Sequence, residues 1–256
     1  MRADKFFAQK FGSRTKAKER LLRGLIYADG KQLSPDSELS GGEFFQFLEE
    51  DAFVSRGGDK LERGLSVFHE SVAGGVYADF GASTGGFTDC LLRRGAKKVY
   101  SIDVGANQLD RSLCSDERVV VMDRTNVRYL TGDEFSEPLD GIVSDLSFIS
   151  LRLVLPVVAR LLPQNGKAFL LFKPQFECGK GMVGKSGILP VRCHARLLDE
   201  FYDFASLLAL NIHDIVNAPL RERKNVEYIL YISKTAAPLD KKELLHRAAD
   251  FYENRV

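Results

Sequence analysis

The sequence lacks the segments that direct a chain into or through a membrane. Its 256 residues contain no apolar run close to the roughly 18 residues that a membrane span needs. The N-terminus carries charges but not the apolar core of a signal peptide. There are no internal repeats and no low-complexity tracts. With 45% hydrophobic residues the chain can bury a substantial core, so we expect a globular, cytoplasmic protein with no membrane partner.

Cysteine is scarce and scattered. Cys90, Cys114, Cys178 and Cys193 form no C-x-x-C pair, which argues against a zinc site because zinc-binding cysteines usually come in such pairs. We interpret the four as reduced thiols of a cytoplasmic protein, and we predict no metal.

Net charge is only +1, but the charges are unevenly distributed. Nine Lys or Arg accompany three acids between residues 2 and 31, whereas residues 36–51 hold six acids and no base. This asymmetry indicates two units with different roles, although a basic cluster can also be an ordinary solvated surface. We predict domains at residues 1–50 and 60–256, joined by a linker at 51–59.

The basic N-terminal segment, residues 2–31, is called the basic head below. It is predicted to contain two short helices, the second at 16–23, and a hairpin that turns at Asp29 and Gly30. Positive charge on a helix of a small module is typical of phosphate binding. The layout and charge resemble the small α+β RNA-binding domain of ribosomal protein S-four, many pseudouridine synthases and tyrosyl-tRNA synthetases. The residues predicted to bind RNA are Arg2, Lys5, Lys10, Arg14, Lys16, Lys18, Arg20 and Arg23.

From Val76 onward, apolar strands alternate with helical segments. This alternation predicts an α/β fold with a mostly parallel sheet. The last two strands are joined by a short basic turn and should form an antiparallel hairpin at the sheet edge. Ligands of such sheets bind at the carboxyl ends of the strands. One acid at a strand end is often a helix cap, but four successive strands are predicted to end in acids: Asp79, Asp103, Asp123 and Asp145.

The first glycine turn, at residues 81–86, lacks the spacing of a dinucleotide-binding turn but lets the backbone approach a ligand closely. Asp103 is placed for ribose hydroxyls, and Asp123 is placed near an adenine. An adenosine-type ligand without phosphates, such as S-adenosylmethionine, fits this combination. The residues predicted to bind it are Asp79, Gly81, Ala82, Ser83, Gly85, Gly86, Phe87, Asp103, Val104, Asp123, Arg124 and Asp145.

Residues 179–186 read GKGMVGKS and match the phosphate-loop pattern G-x-x-x-x-G-K-[ST]. A phosphate loop follows its strand directly and opens a helix. Here the strand ends near Lys173, and Pro190 would break the phosphate-binding helix. We interpret the match as accidental and predict a helix that starts near Pro190. The segment is either a flap whose Lys180 and Lys185 contact substrate phosphates or an ordinary surface loop.

Seven motifs occur in the order typical of one family: VSRGGDKL, DFGASTGGFTDCLL, DVG, DRTNVR, SDLSFISL, KPQFE and NVEYILYI. They resemble the TlyA family, the hemolysin-A-like ribosomal RNA methyltransferases of the FtsJ type. The resemblance implies a Rossmann-like methyltransferase fold, S-adenosylmethionine, and transfer to the 2′-hydroxyl of a cytidine in ribosomal RNA or ribosomal subunits. It also implies a catalytic tetrad, which comprises Lys60, Asp145, Lys173 and Glu227. One departure is Ala106-Asn107 after DVG, where the family commonly carries an aromatic residue.

The tetrad suits proton removal from a ribose hydroxyl, which must also be aligned with the methyl group. A lysine is a base only when neutral, and burial or a like-charged neighbour lowers its pKa. Lys60 could be that neighbour of Lys173. Alternatively, Lys173 and Glu227, at the ends of buried strands, could form a purely structural ion pair. Two other classes stay open: an RNA-binding protein without catalysis, and a membrane-active hemolysin.

Overall fold

A computed structural model describes most of the chain in two units, Met1–Ala52 and Phe53–Val256. The described residues are 1–22, 24–47, 53–179, 182–184, 187–220, 224–235 and 237–253. The boundary between the units lies two residues beyond the predicted end of the first domain. In the second unit a helix already begins at Gly57, within the predicted linker. The division into an RNA-binding and a catalytic domain stays a prediction.

The first unit contains two helices and a small antiparallel sheet. Its elements are α1 (Ala3–Phe6), α2 (Arg14–Leu22), β1 (Ile26–Ala28), β2 (Lys31–Gln32) and β3 (Phe45–Phe47), with strand order β2-β1-β3. The predicted hairpin is present as β1 and β2. Ser13 Oγ accepts a hydrogen bond from the backbone of Lys16 at 3.1 Å and caps α2. The ring of Phe7 is buried edge-on against Phe45 and Phe47 and centres the core.

The second unit is built on a seven-stranded sheet. Its strands are β4 (Val76–Phe80), β5 (Lys98–Ile102), β6 (Val119–Met122), β7 (Gly141–Ser144), β8 (Lys167–Phe172), β9 (Asn211–Asn217) and β10 (Tyr228–Ser233), in the order β6-β5-β4-β7-β8-β10-β9. The five strands from β4 to β8 are parallel, and β10 is antiparallel to both β8 and β9. The predicted mostly parallel sheet with an antiparallel edge hairpin is confirmed. Of the turn that joins the hairpin, residues 221–223 lie outside the described residues.

Helices connect these strands. They are α3 (Gly57–Val67), α4 (Gly86–Arg93), α5 (Arg111–Cys114), α6 (Leu155–Leu161), α7 (Pro174–Glu177), α8 (His194–Leu207) and α9 (Lys241–Glu253), with 3₁₀ turns at Val127–Tyr129, Leu151–Leu153 and Val191–Cys193. Successive strand residues point to opposite faces, so Phe169 joins one buried apolar cluster while Leu170 joins another. Both faces of the sheet are therefore covered, as parallel sheets require.

The phosphate-loop match does not have the structural context of a phosphate loop. Helix α7 begins at Pro174, directly after β8, so a helix separates the strand from the motif. The 3₁₀ turn begins at Val191 and leads into α8, which confirms the helix predicted near Pro190. Within the motif, Lys180, Gly181, Lys185 and Ser186 lie outside the described residues. The described residues on either side do not form a strand–loop–helix phosphate site.

Candidate active site

The four tetrad residues come from four separate segments. Lys60 lies near the start of α3, Asp145 follows β7, Lys173 follows β8, and Glu227 precedes β10. Because β10 runs antiparallel to β8, its N-terminal end lies at the same sheet edge as the carboxyl ends of β7 and β8. The topology thus brings together residues up to 167 positions apart.

The tetrad side chains form one chain of alternating charge. Lys173 Nζ lies 2.6 Å from Asp145 Oδ1. Lys60 Nζ lies 3.1 Å from Asp145 Oδ2 and 2.9 Å from Glu227 Oε2. Both ammonium groups therefore share the carboxylate of Asp145. Glu227 is paired with Lys60, so the structure offers no support for the alternative pairing of Lys173 with Glu227.

The two lysines have different surroundings. Burial opposes the charge of Asp145, but the ammonium groups of Lys173 and Lys60 outweigh burial and lower the pKa of this carboxyl. Burial also opposes the charge of Lys60, yet Asp145 and Glu227 raise the pKa of its ammonium group. Lys173 is 6% exposed, against 22% for Lys60, and within the described residues Asp145 is its one carboxylate partner. Lys60 is thus held as a cation by two carboxylates, whereas Lys173 is the more buried lysine and contacts Asp145.

Two side chains that the motif analysis did not single out extend the tetrad. Lys173 Nζ donates to Ser147 Oγ at 2.8 Å, and Gln175 Nε2 donates to Glu227 Oε1 at 3.2 Å. Ser147 stands two positions after Asp145, and Gln175 stands two positions after Lys173. Just after a strand, residues two apart can share a side, so this spacing could have identified Ser147. Gln175 lies in helix α7, where the rule does not apply.

Close helix packing places Lys60 over the site. A Cβ at Gly86, the first residue of α4, would lie 2.3 Å from Ser55 Oγ and 2.8 Å from the backbone N of Gly58. Only glycine allows this approach of α4 to the start of α3. On the far side, Arg63 donates from Nε to the carbonyl of Asn217 at 2.8 Å and from Nη2 to its Oδ1 at 3.0 Å. These contacts fix α3 between the glycine turn and β9.

The glycine turn after β4 and the loop after β5 meet at Asp103. Gly81 and Gly85 have φ values of +84° and +95°, which favour glycine. Asp103 Oδ2 accepts a hydrogen bond from the backbone of Ser83 at 2.9 Å, and Oδ1 accepts one from Gly105 at 2.7 Å. A carboxylate oxygen has a second lone pair, so Asp103 can still accept from ribose hydroxyls.

Asp79 requires a correction. It lies inside β4 rather than at its end, and it is fully buried. Its Oδ2 accepts hydrogen bonds from the backbone N and Oγ1 of Thr88 at 3.0 and 2.8 Å. Burial raises the pKa of Asp79 to about 7. Asp79 therefore holds the start of α4 from inside the sheet, one residue before the strand end at which the sequence placed it, and its part in cofactor binding stays a prediction.

The loop after β5 also rests on the end of β6. Asp123 Oδ2 accepts a hydrogen bond from the backbone of Asn107 at 2.9 Å, and Arg124 N donates to the carbonyl of Gly105 at 2.9 Å. Val104 is 68% exposed beside these acids. An exposed apolar side chain next to two carboxylates suits one face of an adenine ring.

Two cavities meet at the tetrad. The cofactor cavity, of about 330 Å³, is lined by Ser55, Gly57, Lys60, Gly81, Ala82, Ser83, Thr84, Gly86, Phe87, Asp145, Ser147, Lys173 and Glu227. The acceptor cavity, of about 430 Å³, is lined by Ser55, Arg56, Gly57, Asp59, Lys60, Asp145, Gln175, Ala218, Pro219, Leu220, Lys224, Asn225, Val226 and Glu227. Lys60, Asp145 and Glu227 line both, so a group held in one cavity faces the other across the tetrad.

The predicted RNA-binding residues of the first unit divide into two groups. Arg2 and Arg14 pair with buried Asp4, at 3.2 and 2.8 Å, and hydrogen bonds from Arg2 and then Arg14 lower the pKa of Asp4 to about 2. Lys10 lies 4.4 Å from the ring centre of Phe47, and Arg20 lies 4.8 Å from that of Phe11. By contrast, some bases form no ion pair within the described part of the chain: Lys5, Lys16 and Lys18. Arg23 lies outside the described residues.

The fold and the site define a class. A doubly wound sheet with a glycine turn, acids at its carboxyl edge and a second cavity beyond a charged tetrad is the architecture of a Rossmann-like group-transfer enzyme. A model of the FtsJ-like methyltransferases matches residues 53–234. The chain belongs to this family, and to the TlyA family within it. The predicted enzyme class and methyl donor, S-adenosylmethionine, are thereby confirmed.

Individual relatives cover most of the chain. It is 40% identical over 245 residues to the 16S/23S rRNA (cytidine-2′-O)-methyltransferase TlyA of Mycobacterium tuberculosis. The aligned region covers 92% of this chain and 91% of that protein. It is 40% identical over 179 residues to Hemolysin A of Brachyspira hyodysenteriae, and the aligned region covers 69% of this chain and 75% of that protein. A solved structure of a candidate hemolysin from Streptococcus thermophilus is 34% identical to this chain and superposes with a TM-score of 0.74. The superposition covers 99% of this chain and 97% of that one.

The residues present fit S-adenosylmethionine. Glycine turns allow close approach to the methionine part, Asp103 is available to hydroxyls, and Val104 offers apolar surface. None of the described helices is long and apolar enough to cross a membrane. The same residues contain no group of three or more His, Cys, Asp or Glu suited to hold a metal.

Proposed function

We propose that this chain transfers a methyl group from S-adenosylmethionine to the 2′-hydroxyl of a cytidine in ribosomal RNA. The observation that carries the proposal is the meeting of the cofactor and acceptor cavities at Lys60, Asp145 and Glu227. Direct transfer between two bound groups needs such an arrangement, because both must lie within reach of the same side chains. The cytidine and the ribosomal RNA come from the names of the relatives.

The acceptor cavity has walls that suit a nucleotide. Arg56 and Lys224 bring positive charge that can neutralise phosphates. Pro219 and Leu220 supply apolar surface, and Leu220 is 42% exposed. A mixed wall of cations and apolar groups can hold the backbone and the base of one nucleotide.

An aromatic pair, formed by the exposed Phe148 and the half-buried Phe176, lies beside Lys173. The ring of Phe148 is 91% exposed and its centroid lies 5.3 Å from that of Phe176. Nζ of Lys173 lies 5.7 Å from the ring centre of Phe176. Bases drawn out of a stack are commonly held against aromatic side chains, so this pair favours an RNA acceptor.

We assign the roles in the reaction from the contacts of the two lysines. S-adenosylmethionine supplies an electrophilic methyl group when bound. We assign Lys173, in its neutral form, to accept the proton of the ribose hydroxyl. Lys60 stays charged between Asp145 and Glu227 and orients both carboxylates. Asp145 in turn holds the Nζ of Lys173 at 2.6 Å.

We assign RNA capture to the first unit, whose bases Lys5, Lys16 and Lys18 are free of ion pairs within the described ranges. The partner is ribosomal RNA, free or in ribosomal subunits, and the reaction would take place in the cytoplasm. An RNA-binding protein without catalysis would not need the complete tetrad. A membrane-active hemolysin finds no support in the helices described above.

The test uses purified protein, small and large ribosomal subunits, and S-adenosylmethionine with a labelled methyl group. Label should appear on cytidine and make the adjacent phosphodiester resistant to alkaline cleavage. Lys173→Ala should abolish most of the label, whereas Lys97→Ala, which removes a lysine that is 61% exposed, should behave as wild type. If the protein binds RNA but transfers no labelled methyl group, the alternative of an RNA-binding protein without catalysis is supported. Leakage from liposomes treated with the pure protein would support the hemolysin.

A further inference from the structure

Lys173 is surrounded by two short segments that touch at several points. The first is the acceptor loop, residues 145–150, and the second consists of Lys173 and α7. Near the tetrad the segments are joined by Asp145 and Ser147, both bonded to Lys173. Further out, the ring of Phe148 contacts that of Phe176. The geometry of the loop therefore decides where Ser147 and Phe148 stand.

Glu177, the last residue of α7, joins the segments at the far end of the loop. Its side chain is 1% exposed. Oε2 accepts a hydrogen bond from Ser150 Oγ at 2.6 Å, and Oε1 accepts one from the backbone N of Leu151 at 2.7 Å. Arg152 Nε lies 4.0 Å from Oε2. Glu177 lines neither cavity, so it can act on the site only through neighbouring residues, and the loop residues Ser150 and Leu151 are bonded to it.

The loop contains backbone strain that needs an anchor. Phe148 has a φ of +64°, a left-handed conformation that is rare for a bulky residue. Its ring is 91% exposed, so little burial offsets this cost. A strained conformation persists only where its surroundings hold it. The loop has such anchors at both ends: Asp145, bonded to two lysines, and the residues bonded to Glu177.

We propose that Glu177 is a positioning residue for methyl transfer. It holds the acceptor loop so that Ser147 reaches Lys173 and Phe148 stays turned outward against Phe176. The proposal rests on the proposed function. The competing view is that Glu177 contributes only to overall stability, as many buried hydrogen-bonded groups do.

The chain has no tryptophan, which allows a loop reporter. Phe148→Trp introduces a single indole at the strained position, and its emission and fluorescence anisotropy report the state of the loop. The substitutions Glu177→Ala and Glu177→Gln, and the matched control Glu200→Ala, are each combined with Phe148→Trp. Glu200 bonds to Nη2 of the same Arg152, at 3.0 Å, but not to the loop backbone. Rates and cofactor affinity are measured with the native Phe148.

Glu177→Ala should lower the single-turnover rate at least tenfold, change S-adenosylmethionine affinity less than twofold, and lower the anisotropy of the reporter. Glu177→Gln should recover most of the rate, because the amide oxygen can still accept from Leu151. Glu200→Ala should match wild type in every readout. All measurements are made well below the melting temperature of each variant.

Two results would overturn the proposal. One is a Glu177→Ala protein with wild-type rate and anisotropy. The other is a rate loss that tracks the fall in melting temperature while the reporter is unchanged, which would make the role merely structural. If wild-type protein transfers no methyl group to ribosomal RNA, the proposed function fails. The reporter then still decides whether Glu177 holds the loop.

Discussion

Asp79 provides a quantitative test of how the cofactor turn is held. Its carboxyl is fully buried inside β4 and bonded to the first turns of α4 through Thr88. Burial raises its pKa from 3.8 to about 7, although the hydrogen bonds from Thr88 oppose the rise. In the unfolded chain the carboxyl regains its ordinary pKa.

The sign of the effect on stability follows from proton binding. Between about pH 4 and pH 7 the folded protein keeps a proton that the unfolded chain has lost, so the free energy of unfolding falls as the pH rises. A difference of about 3 pKa units corresponds to about 4 kcal/mol at most. This contribution is fully present below about pH 4 and is lost as the pH rises through the folded pKa near 7.

Asp79→Asn removes the titration and keeps the size of the side chain and one acceptor oxygen. Urea unfolding of wild type and variant at pH 5 and pH 7.5, followed by circular dichroism, gives the difference in free energy of unfolding. Wild type should lose about 2 to 3 kcal/mol relative to the variant between these values. Asp140→Asn, which replaces an exposed acid near the other end of β4, is the control for the loss of one carboxylate. A difference independent of pH would refute the assignment of a buried, protonated Asp79.

Three further predictions concern the reaction. Lys173→Ala should slow single-turnover methyl transfer by about 10²- to 10⁴-fold with the cofactor still bound, and Lys173→Arg should not rescue it because a guanidinium stays protonated; an active arginine variant with the wild-type pH profile would exclude the general base. Asp103→Ala should weaken S-adenosylmethionine binding by about 1.5 to 3 kcal/mol, the scale of hydrogen bonds to a charged group, in calorimetry, where ATP should bind poorly or not at all; tight ATP binding would revive the phosphate loop. Deleting residues 1–50 should leave cofactor affinity nearly intact but remove most of the steeply salt-dependent RNA affinity, and equal RNA affinity with and without them would contradict two separate roles.

The fold was predictable because it depends on patterns that repeat along the chain. Alternation of apolar strands and helices was enough for the sheet, and three of the four acids, Asp103, Asp123 and Asp145, do follow strands. Asp79 was placed wrongly because β4 continues to Phe80. A one-residue error at a strand end moves a side chain between the interior and the ligand edge. Local patterns cannot fix that residue, since the end depends on pairing with β5 and β7.

The basic head shows a different limit. Counting charge identified the basic head, but it could not separate bases that face solvent from bases that hold the fold. Arg2 and Arg14 both bond to Asp4, an acid that is 1% exposed. An acid only two positions from Arg2 is visible in the sequence, yet its burial depends on how α1 and α2 pack.

The sequence indicates that Glu227 needs a cationic partner, but it does not indicate which cation. A carboxylate next to the apolar run YILYIS must find a cation, because an unpaired buried charge is costly. Lys173 is the cation nearest in the topology, since β8 pairs directly with β10. The partner is instead Lys60, 167 residues upstream on α3, and this leaves Lys173 to Asp145 and Ser147. Lys60 contacts both carboxylates, at 3.1 Å and 2.9 Å, and within the described residues Asp145 is the carboxylate that Lys173 contacts, at 2.6 Å. The ion pair with the longest sequence separation in the tetrad is therefore one that the pairing of neighbouring strands does not predict.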